Sequence, residues 1–143
     1  MTPSGGPVTV HFDGASVAGR AAWGFTVDGA GLDHEACGRV LPRGGPPGSP
    51  DSTNNVAEYT AAVRALEYLR ERGYRGPVEM LGDSQLVVRQ FRGEYTVRAA
   101  HLLPLFERLQ DLARGFERVS FEWVPRELNR RADSLSKEGL HVG

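Results

Sequence analysis

Internal disulfides, structural zinc and membrane-spanning helices are excluded by what this chain has little of. Its 143 residues include one cysteine, Cys37, which has no second cysteine for a bridge and no Cys/His cluster for a metal. Lysine is nearly absent: Lys137 is the only one among 17 basic residues, and the rest are arginine. An excess of one charge sign is missing too. With 18 acidic side chains the formal net charge is −1, so the chain as a whole is not a basic nucleic-acid binder. The arginine bias fits either a GC-rich coding sequence or phosphate recognition, to which the bidentate guanidinium is suited. No stretch approaches the ~20 consecutive apolar residues of a bilayer span. Met1 to Pro7 carry neither a basic nor an apolar block, so residues 1–7 read as a flexible lead-in and not a signal peptide. A reducing, cytoplasmic location and no membrane partner are the expectation.

What is present suffices for one domain. The hydrophobic fraction is 40% and the charged fraction 24%, ordinary for a globular protein, and a chain of this length buries about two-thirds of its surface on folding. Val8, Val10 and Phe12 alternate with polar residues, as do Trp23, Phe25 and Val27, which marks two half-buried strands. A third is expected over residues 32–41, and the three form an antiparallel meander. The period then becomes helical at Val56, Tyr59, Val63, Leu66 and Leu69, with Gly73 as the stop and residues 52–55 as cap candidates. A fourth strand runs over residues 78–81. Helices are expected over residues 85–91 and 99–116, a fifth strand over residues 119–123, and a last helix with Leu128, Ala132 and Leu135 on one face. Residues 42–52, rich in Gly and Pro, read as a mobile loop. The strand–helix–strand crossover makes the fourth strand parallel to an earlier one. The expected fold is α/β, a mixed five-stranded sheet flanked by helices.

Acidic residues interrupt this pattern at informative places. Asp13 and Asp83 each end a strand, and parallel neighbours would bring both to the carboxyl edge of the sheet, where ligands bind in open α/β folds. Glu58 falls in the first turn of the long helix and Asp133 near the start of the last one. Each has a plainer reading: a turn at Asp13-Gly14, a capping box of Asn55 with Glu58, a helix cap at Asp83, a solvated Asp133 paired with Arg130 or Lys137. Four carboxylates gathered in one small site would repel, and a divalent cation resolves the repulsion. Hard oxygen donors favour Mg²⁺ or Mn²⁺.

Phe12-Asp13-Gly14-Ala15-Ser16, Thr53-Asn54-Asn55-Val56-Ala57-Glu58-Tyr59, Gly82-Asp83-Ser84-Gln85 and Asn129-Arg130-Arg131-Ala132-Asp133-Ser134-Leu135 resemble type 1 ribonuclease H, in the family's order. The resemblance implies a ribonuclease H domain over residues 8–139 followed by a short tail, 140–143. In this fold the fourth and fifth strands lie parallel to the first. It implies a metal-dependent endonuclease that hydrolyses the RNA strand of RNA–DNA hybrids with two Mg²⁺ or Mn²⁺ ions, leaving 5′-phosphate and 3′-hydroxyl ends. Asp13, Glu58 and Asp83 would hold one ion, and Asp13 and Asp133 the other. Gly14, Ala15, Ser16, Thr53, Asn54, Asn55 and Gln85 match substrate-binding positions, and Glu58 would also sense the ribose 2′-hydroxyl. The resembling form is a compact monomer. It lacks the basic protrusion, the loop after the first strand and the active-site-loop histidine, for which Arg126 or Glu127 could substitute. Arg43, Arg89, Arg92, Arg98 and Arg126 are the candidate phosphate contacts. The alternatives are a nuclease of the same fold acting on DNA or structured RNA, and a hybrid-binding module without catalysis.

Overall fold

A computed structural model describes residues 7–40 and 53–141. The expected loop over 42–52, with Arg43, lies outside the described residues, as do residues 1–6 of the lead-in. Five strands, β1 (Val8–Val17), β2 (Arg20–Asp28), β3 (His34–Arg39), β4 (Pro77–Gly82) and β5 (Arg118–Trp123), form one sheet. Its order is β3-β2-β1-β4-β5. β1 pairs antiparallel with β2 and β2 with β3, whereas β4 runs parallel to both β1 and β5. The helices are α1 (Asn54–Glu71), α2 (Gln85–Phe91), α3 (Leu103–Ala113) and α4 (Arg130–Gly139), with a 3-10 turn at Arg126–Leu128 before the last. The expected mixed sheet is thus the observed one.

Several local expectations change. The alternation that ended the first strand at Asp13 fades because Gly14, Ala15 and Ser16 are small, yet β1 continues to Val17. A two-residue hairpin sustains it: Ala18 and Gly19 have φ of 51° and 77°, and this left-handed pair has the twist that matches two antiparallel strands. β3 is shorter than expected, Asp33 and the turn before it lying outside the ladder. α3 begins at Leu103 instead of residue 99, with Pro104 in its first turn, where the missing N–H costs nothing. Leu128 belongs to the 3-10 turn and is exposed, so α4 buries Ala132 and Leu135 without it. Thr53, not Asn55, caps α1, its hydroxyl accepting the Val56 N–H at 3.3 Å.

Two glycines set how closely the helices approach. A Cβ on Gly14 would fall 2.4 Å from the Glu58 nitrogen, so α1 lies directly on β1. On Gly24 it would fall 2.5 Å from the Ser136 nitrogen, so α4 lies directly on β2. Gly24 pairs with Asp13, and Gly14 with Trp23. Side chains alternate along a strand, so the two helices cover opposite faces, and Asp13 points to the α4 side. The main core fills the α1 side with Val8, Val10, Phe12, Tyr59, Leu66 and Met80, all fully buried. Gly24→Ala should therefore lower stability by about 1–3 kcal/mol through overpacking. Gly115→Ala, whose Cβ meets only the Leu112 oxygen at 3.4 Å, should change it by less than about 0.5 kcal/mol. Urea midpoints of the two variants test this.

Candidate active site

The parallel ladder between β1 and β4 ends at Phe12 opposite Gly82. The next residues are Asp13 and Asp83, so their carboxylates leave the same edge side by side. Asp83 is free to point there because Ser84 caps α2, accepting the Val87 N–H at 3.2 Å. Glu58 lies in the second turn of α1, not the first, and is 2% exposed. Its Oε1 accepts the Gly14 N–H at 2.6 Å, the contact that the missing Cβ of Gly14 allows. The capping-box reading is thereby replaced: Glu58 turns into the sheet. Carboxylate oxygens of Asp13, Glu58 and Asp83 lie within 4.8 Å of one another.

Asp133 completes the set from the first turn of α4. It lines an open pocket of about 310 Å³ together with Asp13, Gly14, Asn54, Glu58, Asp83, Ser84, Trp123 and Arg126. Ser136 sits between Asp13 and the backbone of α4, its hydroxyl donating to Asp13 Oδ2 at 3.2 Å or to the backbone carbonyl of Asp133 at 2.8 Å. Asn129, 1% exposed, donates to the Phe12 carbonyl at 3.0 Å, and its own carbonyl accepts the Asp133 N–H at 3.0 Å. It therefore ties the start of α4 to β1 beside Asp13. Sequence reasoning found none of Ser84, Trp123, Asn129 and Ser136 as site residues. The Asn-x-x-x-Asp spacing at Asn129 was the one available signal.

Electrostatics follow from this crowding. Burial, and behind it the charges of Asp83 and Asp133, push Asp13 from its ordinary 3.8 up to about 7, against the lowering influence of the adjacent Glu58 carboxyl. Burial also raises Glu58 well above the usual carboxylate range, reinforced by Asp13 and opposed by the Gly14 N–H. Asp133 behaves oppositely. Burial pushes it up, but Lys137, Asp13 and Arg126 outweigh that and hold it low. Lys137 Nζ sits 3.1 Å from Asp133, and Arg126 Nε 3.7 Å from Asp83.

The residues present fit a divalent cation. The donor set is hard oxygen, and Glu58 Oε2 is buried with no hydrogen-bond partner, which is costly unless something positive fills its place.

Among the expected substrate positions, Gly14 and Asn54 line the pocket, although the Gly14 N–H is already used. Asn55 and Gln85 are exposed nearby in sequence, and Gln85 Oε1 accepts from Arg89 at 2.9 Å. Ala15 and Ser16 are half-buried in β1, and Thr53 caps α1. Among the arginines of the described residues, Arg126 alone lines the pocket. Arg89 pairs with Glu94, and Arg92 with Glu94 and Glu122. Glu127 is not part of the wall.

Residues 29–139 match the protein family described as Reverse transcriptase-like. The chain is 40% identical over 139 residues to Ribonuclease HI of Halobacterium salinarum, covering 95% of this chain and 65% of that protein. The crystal structure of that organism's RNase H1 superposes with a TM-score of 0.80 at 36% identity, covering 95% of this chain and 98% of the crystallised one. Ribonuclease HI of Caulobacter vibrioides is 34% identical over 157 residues, covering 98% and 95%. LC11-RNase H1, solved in complex with an RNA/DNA hybrid, superposes with a TM-score of 0.80 at 32% identity, covering 94% and 96%. The chain spans 65% of the halobacterial relative's full length and 24% of a mycobacterial one.

The raised carboxyl of Asp13 gives stability a pH dependence in the absence of metal. Between about pH 4 and 7 the unfolded chain has released this proton while the folded chain keeps it, so the Asp13 contribution to stability falls as pH rises and levels off above about 7, and the raised Glu58 acts in the same direction. At about 1.4 kcal/mol per pKa unit the loss amounts to a few kcal/mol. His11, held below 6.5 by burial, works the other way up to that pH. In EDTA the melting temperature should therefore drop from pH 5.5 to pH 8. Asp13→Asn should flatten the drop and raise the melting temperature at pH 8, and millimolar Mg²⁺ should restore the wild type there. A wild type that melts higher at pH 8 than at 5.5 without metal would contradict the assignment.

Proposed function

The chain belongs to the ribonuclease H family, and from that membership we propose that it is a divalent-metal-dependent endoribonuclease cutting the RNA strand of RNA–DNA hybrids. One observation carries the reading: carboxylates from β1, α1, β4–α2 and α4 meet in a single open pocket, three of them within 4.8 Å. Asp13, Glu58 and Asp83 would hold one Mg²⁺ or Mn²⁺, and Asp13 with Asp133 a second. Bound there, such ions would supply a water of lowered pKa and neutralise charge developing at the scissile phosphate. The products are a 5′-phosphate and a 3′-hydroxyl.

The chain's own groups prepare the site. Gly14 keeps Glu58 oriented through its N–H, and Ser136 and Asn129 hold the Asp13–Asp133 side. Lys137 and Arg126 act as counter-ions to Asp133 and Asp83 until cations take that role. Arg126, 78% exposed at its side chain, is then free to grip a phosphate oxygen, the task a charge-assisted guanidinium performs well. It is the better candidate than Glu127, whose charge would oppose both metal and phosphate. Asn54, Asn55 and the Gln85 amide would contact the hybrid, with the backbone of Ala15 and Ser16 and the Thr53 hydroxyl proton alongside. The ribose 2′-hydroxyl read near Glu58 and Asn54 separates RNA from DNA. Residues 8–139 are the catalytic domain in this reading, a monomer in a reducing cytoplasm suited to an unpaired Cys37.

Labelled hybrid, duplex DNA and duplex RNA incubated side by side with Mg²⁺ or Mn²⁺ test the proposal, and only the hybrid should be cut. Asp13→Asn and Asp83→Asn should each lower cleavage at least about 1,000-fold while melting no lower than wild type without metal. Arg126→Ala should lower kcat/KM about 10–100-fold. Few free arginines face the pocket, so hybrid affinity should fall with salt by a log–log slope of only about −3 to −4. Near-wild-type cleavage by either aspartate variant would refute the site, and a slope near −8 would reveal a basic surface outside the pocket.

A further inference from the structure

An aromatic side chain on the pocket wall has no part in that mechanism. Trp123 closes β5 opposite Gly82, the last residue of β4, and lines the pocket beside Asp83 and Ser84. Its indole N–H donates to the Asp83 carbonyl at 3.2 Å, and the following N–H, of Val124, donates to the Gly82 carbonyl at 2.9 Å. The ring is therefore fixed at its polar edge, yet the side chain is 46% exposed. Two residues earlier on the same strand face, Phe121 is buried and packs on Phe12 and Phe91. The apolar stripe of β5 thus runs out of the core and over the lip of the acidic pocket.

Single exposed apolar side chains are ordinary, and Val17, Leu103 and Leu128 are such cases. Tyr95, the other exposed aromatic, lies under the Arg89 guanidinium. Trp123 differs from these: it offers an aromatic face, held in place, next to four carboxylates. We propose that Trp123 is a substrate-contacting residue whose exposed face packs on the sugar of the nucleotide adjoining the scissile phosphate. The N–H bond to Asp83 keeps ring and carboxylate in register. The proposal rests on the hybrid-cleavage reading, which puts the scissile phosphate at the carboxylates. The sugars attached to that phosphate then lie within reach of the pocket wall. In a duplex the bases stack on one another, so the sugar C–H surface along the groove is the apolar part left for an aromatic ring. Such contact is tolerant of sequence, as aromatic contacts to nucleotides generally are.

The chain has two tryptophans, which makes the test direct. Trp23→Phe leaves Trp123 as sole emitter and breaks no hydrogen bond, since the Trp23 indole nitrogen has no partner. With Asp133→Asn added to keep the hybrid intact, end-labelled RNA–DNA hybrid is titrated in while label anisotropy and Trp123 emission are followed together. Emission should change in step with anisotropy, and bound hybrid should shield the ring from acrylamide. In the otherwise wild-type enzyme, Trp123→Ala should raise KM at least about fivefold, the lower end of what an aromatic contact to a nucleotide supplies. Trp123→Phe, which keeps a ring but loses the N–H, should hold KM within about twofold and show its loss in kcat. If Trp123→Ala unfolds at assay temperature, Trp123→Leu provides the KM measurement. Hybrid that binds by anisotropy with Trp123 emission unchanged, or an unaltered KM on loss of the ring, overturns this inference alone. Failure of the wild type to bind or cut hybrid removes the functional reading as well.

Discussion

Helix α1 reaches strand β1 only because residue 14 has no side chain. Any Cβ there would sit 2.4–2.7 Å from backbone and Cβ atoms of Ala57 and Glu58, closer than real carbon contacts come. The approach lets the Gly14 N–H meet the Glu58 carboxylate, and that contact sets the depth at which Glu58 is buried beside Asp13. Asn54, one turn earlier, is carried to the pocket by the same helix. Most of the core on this face, from Val56 to Leu69 of α1 against Val8, Val10 and Phe12, packs at the distance this contact allows. A core interface and the geometry of the acidic cluster are thus consequences of one backbone approach.

The second constraint is electrostatic. Asp13 and Glu58 are buried and adjacent, and burial raises both carboxyls above their ordinary range. The less buried pair is treated differently: Asp133 has Lys137, and Asp83 has Arg126. The cluster therefore has a buried half that waits for positive charge and an exposed half that carries its own. The buried carboxylates cost stability while they stand without a cation, and hydrogen bonds from Gly14 to Glu58 and from Ser136 to Asp13 keep them from turning away.

Much of this could be read from the chain. Strand and helix periods are plain at Val8–Phe12, Trp23–Val27 and Val56–Leu69, because each element buries one face. A crossover helix between strands then makes β4 parallel to β1, and parallel neighbours bring Asp13 and Asp83 to one edge. Small residues hid the rest of β1, since Gly14, Ala15 and Ser16 carry no alternation. The run of polar residues before α1 offered several caps, and only backbone geometry selects Thr53. Arg89 and Arg92 read like phosphate contacts until the fold set Glu94 and Glu122 beside them. Asn129 and Ser136 carried no signal of a site role, because their partners, the Phe12 carbonyl and the Asp13 carboxylate, lie more than a hundred positions away.

The sequence by itself determined the element order, the mixed sheet and the acidic positions singled out in it, because periodicity and the interruption of an apolar pattern by a carboxylate are local properties. Tertiary structure alone decided which acids are buried and which carry counter-ions. It also decided that Glu58 turns inward and does not cap its helix, and that Trp123 stands exposed over the pocket. Those outcomes depend on the distance between chain segments remote in sequence, and that distance is set by close packing at Gly14 and Gly24 and by the register of the parallel ladder.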